Sequence, residues 1–221
     1  MTGPSTSTDR PRITKFGHAC VRLEHGDARI VLDPGVFTDP DAVDGATAVL
    51  ITHEHLDHFH PENLRATEAP IYTIAAVAEA IRAQAPDLTD RITVVAPGET
   101  FDVGVPVTAV GELHNVIHAD LPQIFNSGYL LTLGDTTVYH PGDALTAPEE
   151  PVDVLLAPSS APWLRSEMAI DFVRAVGAAT NLAIHDRIYT EAAHGFLQMQ
   201  MDALIGEHQT YVRIADGNDL G

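Results

Sequence analysis

A single cysteine, Cys20, leaves no partner for an intramolecular disulfide, as expected of a reducing compartment. Its setting, Ala19-Cys20-Val21, is that of a buried strand residue rather than a reactive thiol. Basic side chains are scarce too. Twelve Lys and Arg stand against 31 Asp and Glu, a formal charge of −19, and long-range repulsion from such a chain opposes a nucleic-acid partner. No apolar run approaches the roughly 20 residues that span a bilayer, and the opening MTGPSTSTDRPR lacks the apolar stretch of a secretory signal. The expectation is a cytoplasmic protein acting on a small molecule, without nucleic-acid or membrane partners and with its oligomeric state open. Residues 1–11 read as a flexible polar tail and 12–221 as one domain, long enough to bury a substantial core.

Histidine, by contrast, is plentiful, with 12 in the chain. Four potential metal ligands, His53, His55, Asp57 and His58, fall within six residues in Thr52–His60, THEHLDHFH, just after the apolar run Ala48-Val49-Leu50-Ile51. A chain leaving a buried strand can turn several side chains toward one point. His53 and His55 then face one ion, while Asp57 and His58 reach a second. Imidazole suits zinc, iron, manganese or nickel, and a carboxylate adds the negative charge that holds a second divalent ion nearby.

His-x-His-x-Asp-His after a buried strand resembles the signature of the metallo-β-lactamase superfamily. The resemblance extends in motif order over about residues 12–216. It implies an αβ/βα sandwich of two mixed β-sheets flanked by helices, and further ligands at later strand ends. His114, in GELHNVIHAD, corresponds to the lone histidine of the third motif, with His118 as its rival or as a proton donor to the leaving group. Asp143, in His140-Pro141-Gly142-Asp143, takes the place of the carboxylate that bridges both ions, and Gly142 lets the backbone approach them closely. His185, in His185-Asp186, takes the place of the last ligand of the second ion. Asp33, before Pro34-Gly35, corresponds to an aspartate that supports the ligands from behind. His18, in GHACVRLE, resembles the Gly-His-Ala opening of ascorbate-6-phosphate lactonase-like members and reads either as a residue behind the ligands or in the cleft or as a hydrogen-bonded structural histidine.

Apolar patterning supplies the frame. Strands are expected at Arg12–Glu24 (broken near Gly17-His18), Ala28–Leu32, Pro70–Ile74, Arg91–Val95, Thr100–Val103, Val105–Leu113, Val152–Ala157, Asn181–Ile184 and Thr210–Ala215. Asn126–Leu133 and Thr136–His140 read as a hairpin about Gly134-Asp135, and Pro97-Gly98 as a turn between two strands. Helices are expected at Pro61–Glu68, Ala75–Ala85, Arg165–Val176 and Glu191–Glu207, with His194 facing solvent on the last. Trp163 and Arg165 are candidates to wall the cleft, and Trp163 reads first as packing at a helix start. Asp33, His53, His114, Asp143 and His185 each follow an expected strand, so their loops can share one rim.

Together these readings imply a hydrolase with two divalent ions, zinc first and manganese second, sharing a water whose pKa falls from about 15.7 toward about 7. The resulting bridging hydroxide attacks a small ester or lactone, with Asp57 orienting it. A small phosphodiesterase and an iron-dependent oxidoreductase are the alternatives that the same fold offers.

Overall fold

In the computed structural model, residues 10–221 are described, so most of the expected tail, residues 1–9, lies outside them. Two sheets pack face to face. The first runs in sequence order: β1 (Arg12–Gly17), β2 (Cys20–His25), β3 (Ala28–Leu32), β4 (Ala48–Ile51), β5 (Ile71–Thr73) and β6 (Ile92–Val94). Its first three strands form an antiparallel meander, and β3 to β6 are parallel. The second holds β7 (Thr100–Asp102), β8 (Pro106–Val110), β9 (Gly128–Leu133), β10 (Thr136–His140), β11 (Val154–Pro158), β12 (Thr180–Ile184) and β13 (Thr210–Val212), neighbours throughout. Here too an antiparallel meander, β7 to β10, passes into parallel strands, β10 to β13.

Alternation of side chains along each strand explains the layers. Leu50 joins Leu32, Leu131, Leu156 and Leu182 between the sheets. Its neighbours Val49 and Ile51 point the other way, into a second core with Leu64 of α1 (Pro61–Arg65) and Val77 and Ile81 of α2 (Ala75–Gln84). Leu155 and Ala157 do the same on the far side, meeting Phe172 and Val173 of α3 (Ser166–Val176) and Leu197 and Met201 of α4 (Glu191–Leu204). Because both faces are covered, β4 and β11 read as continuous apolar runs.

Pro97-Gly98 turns between two strands as expected, and because β6 closes the first sheet and β7 opens the edge of the second, that turn carries the chain across the sandwich. Two expectations change. The strand expected to reach Leu113 stops at Val110, where Gly111 takes a φ of 78°, and His114 therefore sits inside a loop. His194 is buried, because its Nε2 donates to the carbonyl of Asp186 at 2.8 Å.

What the fold does for function is to bring the carboxyl ends of β3, β4, β10, β11 and β12 to one edge. Hydrogen bonds across the sandwich lock this rim. Tyr129 Oη donates to the Ile51 carbonyl at 2.9 Å, Ser127 N–H to Thr52 O at 3.0 Å, and His185 N–H to His18 O at 2.8 Å. His140, which sequence reasoning passed over, donates from Nε2 to Ala19 O at 2.9 Å while Nδ1 accepts the Gly142 N–H at 3.0 Å. One buried imidazole thus ties the turn before Asp143 to the turn between β1 and β2.

Candidate metal centre

Eight side chains gather on this rim in two groups. His53, His55, His114 and Asp143 form one, and His18, Asp57, His58 and His185 the other; within each group the potential ligand atoms lie within 4.8 Å of one another. Asp143 stands between them. Its Oδ1 is 3.1 Å from His58 Nε2 and 3.3 Å from His185 Nε2, and its Oδ2 is 3.3 Å from His114 Nε2 and 4.0 Å from His53 Nε2.

The ring tautomers are fixed from behind. His58 Nδ1 donates to Asp33 Oδ2 at 2.7 Å, His114 Nδ1 to the Asn115 carbonyl at 2.5 Å, and His185 Nδ1 to the Ser160 carbonyl. Thr52 Oγ1 donates to Asp33 Oδ2 at 2.7 Å, so it accepts from His53 Nδ1 at 3.0 Å. All four rings therefore carry a proton on Nδ1 and turn Nε2 inward, the arrangement by which outer partners prepare imidazole ligands. His55 turns Nδ1 inward instead, 3.1 Å from His53 Nε2.

Whether this set fits metal ions is decided by atoms that lack partners. His58 Nε2, His114 Nε2, His185 Nε2 and Asp143 Oδ1 are buried without a hydrogen bond. Buried polar atoms are rarely left so, and here the orphans converge on the two groups. Mixed imidazole and carboxylate donors suit zinc or manganese, so the residues fit.

His18 differs. Its Nδ1 accepts the Arg187 N–H at 3.2 Å, so the proton rides on Nε2 and is donated to Asp57 Oδ2 at 3.1 Å. Burial pushes its pKa down to about 4, which keeps the ring neutral. It therefore offers a proton to a ligand rather than a lone pair to an ion.

Electrostatics favour positive charge in the centre. Burial opposes ionisation of Asp57, yet the hydrogen bond from His18 and the nearness of the His185 and His58 imidazoles hold its carboxyl well below the usual range. Burial likewise opposes ionisation of Asp143, and His185 and His58 outweigh it. The same burial disfavours charge on His58 and His185, but Asp143 prevails, raising His58 and bringing His185 to about 9. His53 and His55 are lowered, chiefly by burial.

Asp33 serves the site through the contacts above, and its Oδ1 also accepts the Thr52 N–H at 2.8 Å. Asp33, His18 and His185 have φ of 48°, 52° and 53°. That left-handed region is uncommon for any residue but glycine, and such positions cluster where function constrains the chain. Gly35 is required for a different reason: a Cβ there would run into the carbonyl of Asp57.

His118 is not brought to either group. The loop turns outward after Asn115, with Leu121 N–H on His118 O at 3.1 Å and Asp120 N–H on His118 Nδ1 at 3.1 Å, and the ring is exposed. Of the two rivals in that loop, His114 is the one that faces Asp143. Trp163 packs into the core beside α3 as expected and also reaches the site, donating from Nε1 to Asp143 Oδ2 at 3.2 Å with its ring edge-on to His114. Arg165 points to solvent, with Glu167 at 3.6 Å.

A family model described as the beta-lactamase superfamily domain matches residues 12–185, most of the chain and every one of these ligands. The chain belongs to the beta-lactamase superfamily. Among curated relatives, Protein Rv0786c of Mycobacterium tuberculosis is 38% identical over 83% of this chain and 88% of its own length. UPF0173 metal-dependent hydrolase NEQ378 of Nanoarchaeum equitans is 29% identical over 61% of this chain and 60% of its own. The solved structure of Igni18, a metallo hydrolase from Ignicoccus hospitalis, superposes with a TM-score of 0.72 at 18% identity, covering 95% of this chain and 97% of that one. Superfamily membership and the two mixed sheets agree with the resemblance drawn from His53–His58.

Proposed function

We propose that this superfamily member is a metal-dependent hydrolase that cleaves a small ester- or lactone-like substrate at a two-metal centre, with zinc or manganese as the ions. Asp143 carries the reading. A single buried carboxylate turns one oxygen to each group of imidazoles, and a centre built for one ion would have no use for the second oxygen and its facing lone pairs. His53, His55 and His114 would hold one ion, Asp57, His58 and His185 the other, with Asp143 between them. Divalent ions there would lower the pKa of a shared water from about 15.7 toward about 7 and polarise the substrate oxygen.

The remaining work falls to the chain itself. Asp57 is partly exposed and pinned by His18, so its carboxylate faces the cleft mouth in one orientation, where it can accept a hydrogen bond from the attacking water. Trp163 fixes Asp143 from the opposite side. Asp33, through Thr52 and His58, keeps two ligand rings in register at once.

The test is hydrolysis by zinc- and manganese-reconstituted protein across lactones, aryl esters, thioesters, β-lactams and phosphodiesters, with metal content measured alongside. The expected result is metal-dependent ester or lactone cleavage with two ions per chain, abolished in Asp143→Ala. Full activity and full metal content in that variant would sink the bridging role. Iron with oxygen uptake and no hydrolysis would replace the hydrolase reading with a redox one.

A further inference from the structure

The loop that delivers His114 has a second face. Residues 111–126 leave the rim and return as a pair of crossing segments: Leu113 bridges Phe125, His114 N–H donates to Ile124 O at 3.0 Å, and Asn126 N–H to Glu112 O at 3.0 Å. On one side lies the metal centre, where Asn126 Oδ1 accepts the Asp143 N–H at 2.9 Å. On the other, Phe125 and Asn126 wall a groove of about 470 Å³ that runs to the carboxyl ends of β5 and β6, over Ile74, Val94 and Val95. Groove and centre share the wall at Asn126.

Two features of this groove point to what it takes. Its floor is apolar, but Glu79, Glu99 and Glu112 are its charged lining residues, and no lysine, arginine or histidine joins them. The loop itself also exposes Leu113, Val116, Ile117, Leu121 and Phe125, while Val36, Phe37, Leu56 and Ile188 are exposed on the other loops around the ligands. Among the described residues, the large exposed apolar side chains away from this rim are Phe196, Met199 and Leu204 of α4. Apolar surface concentrated at one mouth marks a binding region.

We infer that the groove is the subsite for the non-reacting part of the substrate, and that this part is an apolar chain or ring without negative charge, neutral or cationic at its far end. The inference rests on the hydrolase reading for the reaction but not for binding. Alkyl matter on the floor gains about 0.8 kcal/mol per buried methylene, roughly fourfold in affinity. An anionic end would meet three carboxylates with no counter-charge, whereas an ammonium end would find them in place. A substrate that carries a phosphate or carboxylate at that far end is thereby disfavoured.

Calorimetric titration of the metal-loaded protein with octyltrimethylammonium and with octyl sulfate tests the subsite apart from catalysis. The cation is expected to bind at least about tenfold more tightly, to lose most of that affinity in Phe125→Ala, and to yield first place to the sulfate in Glu79→Lys/Glu112→Lys. Glu79 and Glu112 are exposed and touch no ligand, so the double variant should keep its metals and its fold. Equal binding of the two probes, or tighter binding of the sulfate unchanged by the variant, would overturn the proposal. A matched series of aryl esters then separates the two readings. Groove binding without turnover of any ester counts against the hydrolase and leaves the subsite standing. Turnover indifferent to chain length and end charge counts against the subsite alone.

Discussion

Trp163 donates its indole N–H to Asp143 Oδ2 across 3.2 Å, and its ring centroid lies 5.7 Å from that of His114. It is the only tryptophan in the chain. Binding of ions beside Asp143 alters the charge next to the indole, so tryptophan emission should report metal loading directly. Titration of chelator-treated protein with zinc is expected to change the emission with a break at two equivalents per chain, reversed by chelator. A break at one equivalent would reduce the centre to a single ion.

His18 presents a proton to Asp57, so it should act on the second ion without touching it. Replacement by asparagine keeps a residue that accepts the left-handed backbone at φ 52° but withdraws the reach to Oδ2. Loss of such an outer partner costs roughly 10- to 100-fold in metal affinity. Dialysis against a weak chelator should leave His18→Asn with one ion per chain where the parent keeps two. If both ions were retained equally, Asp57 would need no such support.

Gly142 and Gly177 both have positive φ, 61° and 73°, yet they should differ in what alanine does. At Gly177, the end of α3, a Cβ meets nothing within 4 Å, so the cost is backbone strain alone, about 1 kcal/mol. At Gly142 the Cβ would strike Asn126 Oδ1 and come within 2.7 Å of Thr52 Cβ, both buried. Overpacking adds to the strain there, for a total of about 3 kcal/mol, and the displaced Asn126 would release Asp143. Urea midpoints with metal analysis should show Gly177→Ala slightly destabilised and fully loaded, and Gly142→Ala strongly destabilised and metal-poor.

The parts legible from sequence were those whose cause is local. His53, His55, Asp57 and His58 follow one another at the end of one strand, and the apolar runs around Leu50 and Leu156 need only a cover on both faces to be read as strands. What could not be read depends on approach through space. Trp163 reaches Asp143 from 20 positions away, and His140 reaches Ala19 from 121; neither has a pattern in its own neighbourhood. His114 and His118 share a loop and a residue type, and only the outward turn at Asp120 separates them. The burial of His194 likewise depends on Asp186 being brought against α4.

Lys15 is the least expected of these long-range contacts. It sits on β1 with its side chain 2% exposed, and its Nζ donates to Asp186 Oδ2 at 2.9 Å and to Asp216 Oδ1 at 2.7 Å. Asp186 follows the ligand His185 at the end of β12, so this ammonium pins the first sheet to the segment that carries a metal ligand of the second. Removing one partner of a buried ion pair leaves the other charged and poorly solvated, at about 3 to 5 kcal/mol. Lys15→Met should fall at the low end, about 3 kcal/mol, because Arg213 Nε stays on Asp186 at 3.1 Å and the methionine fills most of the vacated volume. Chemical unfolding of the metal-loaded protein measures it. A loss below about 1 kcal/mol, the range of exposed ion pairs, would mean that Arg213 alone neutralises Asp186 and that the lysine serves only as packing.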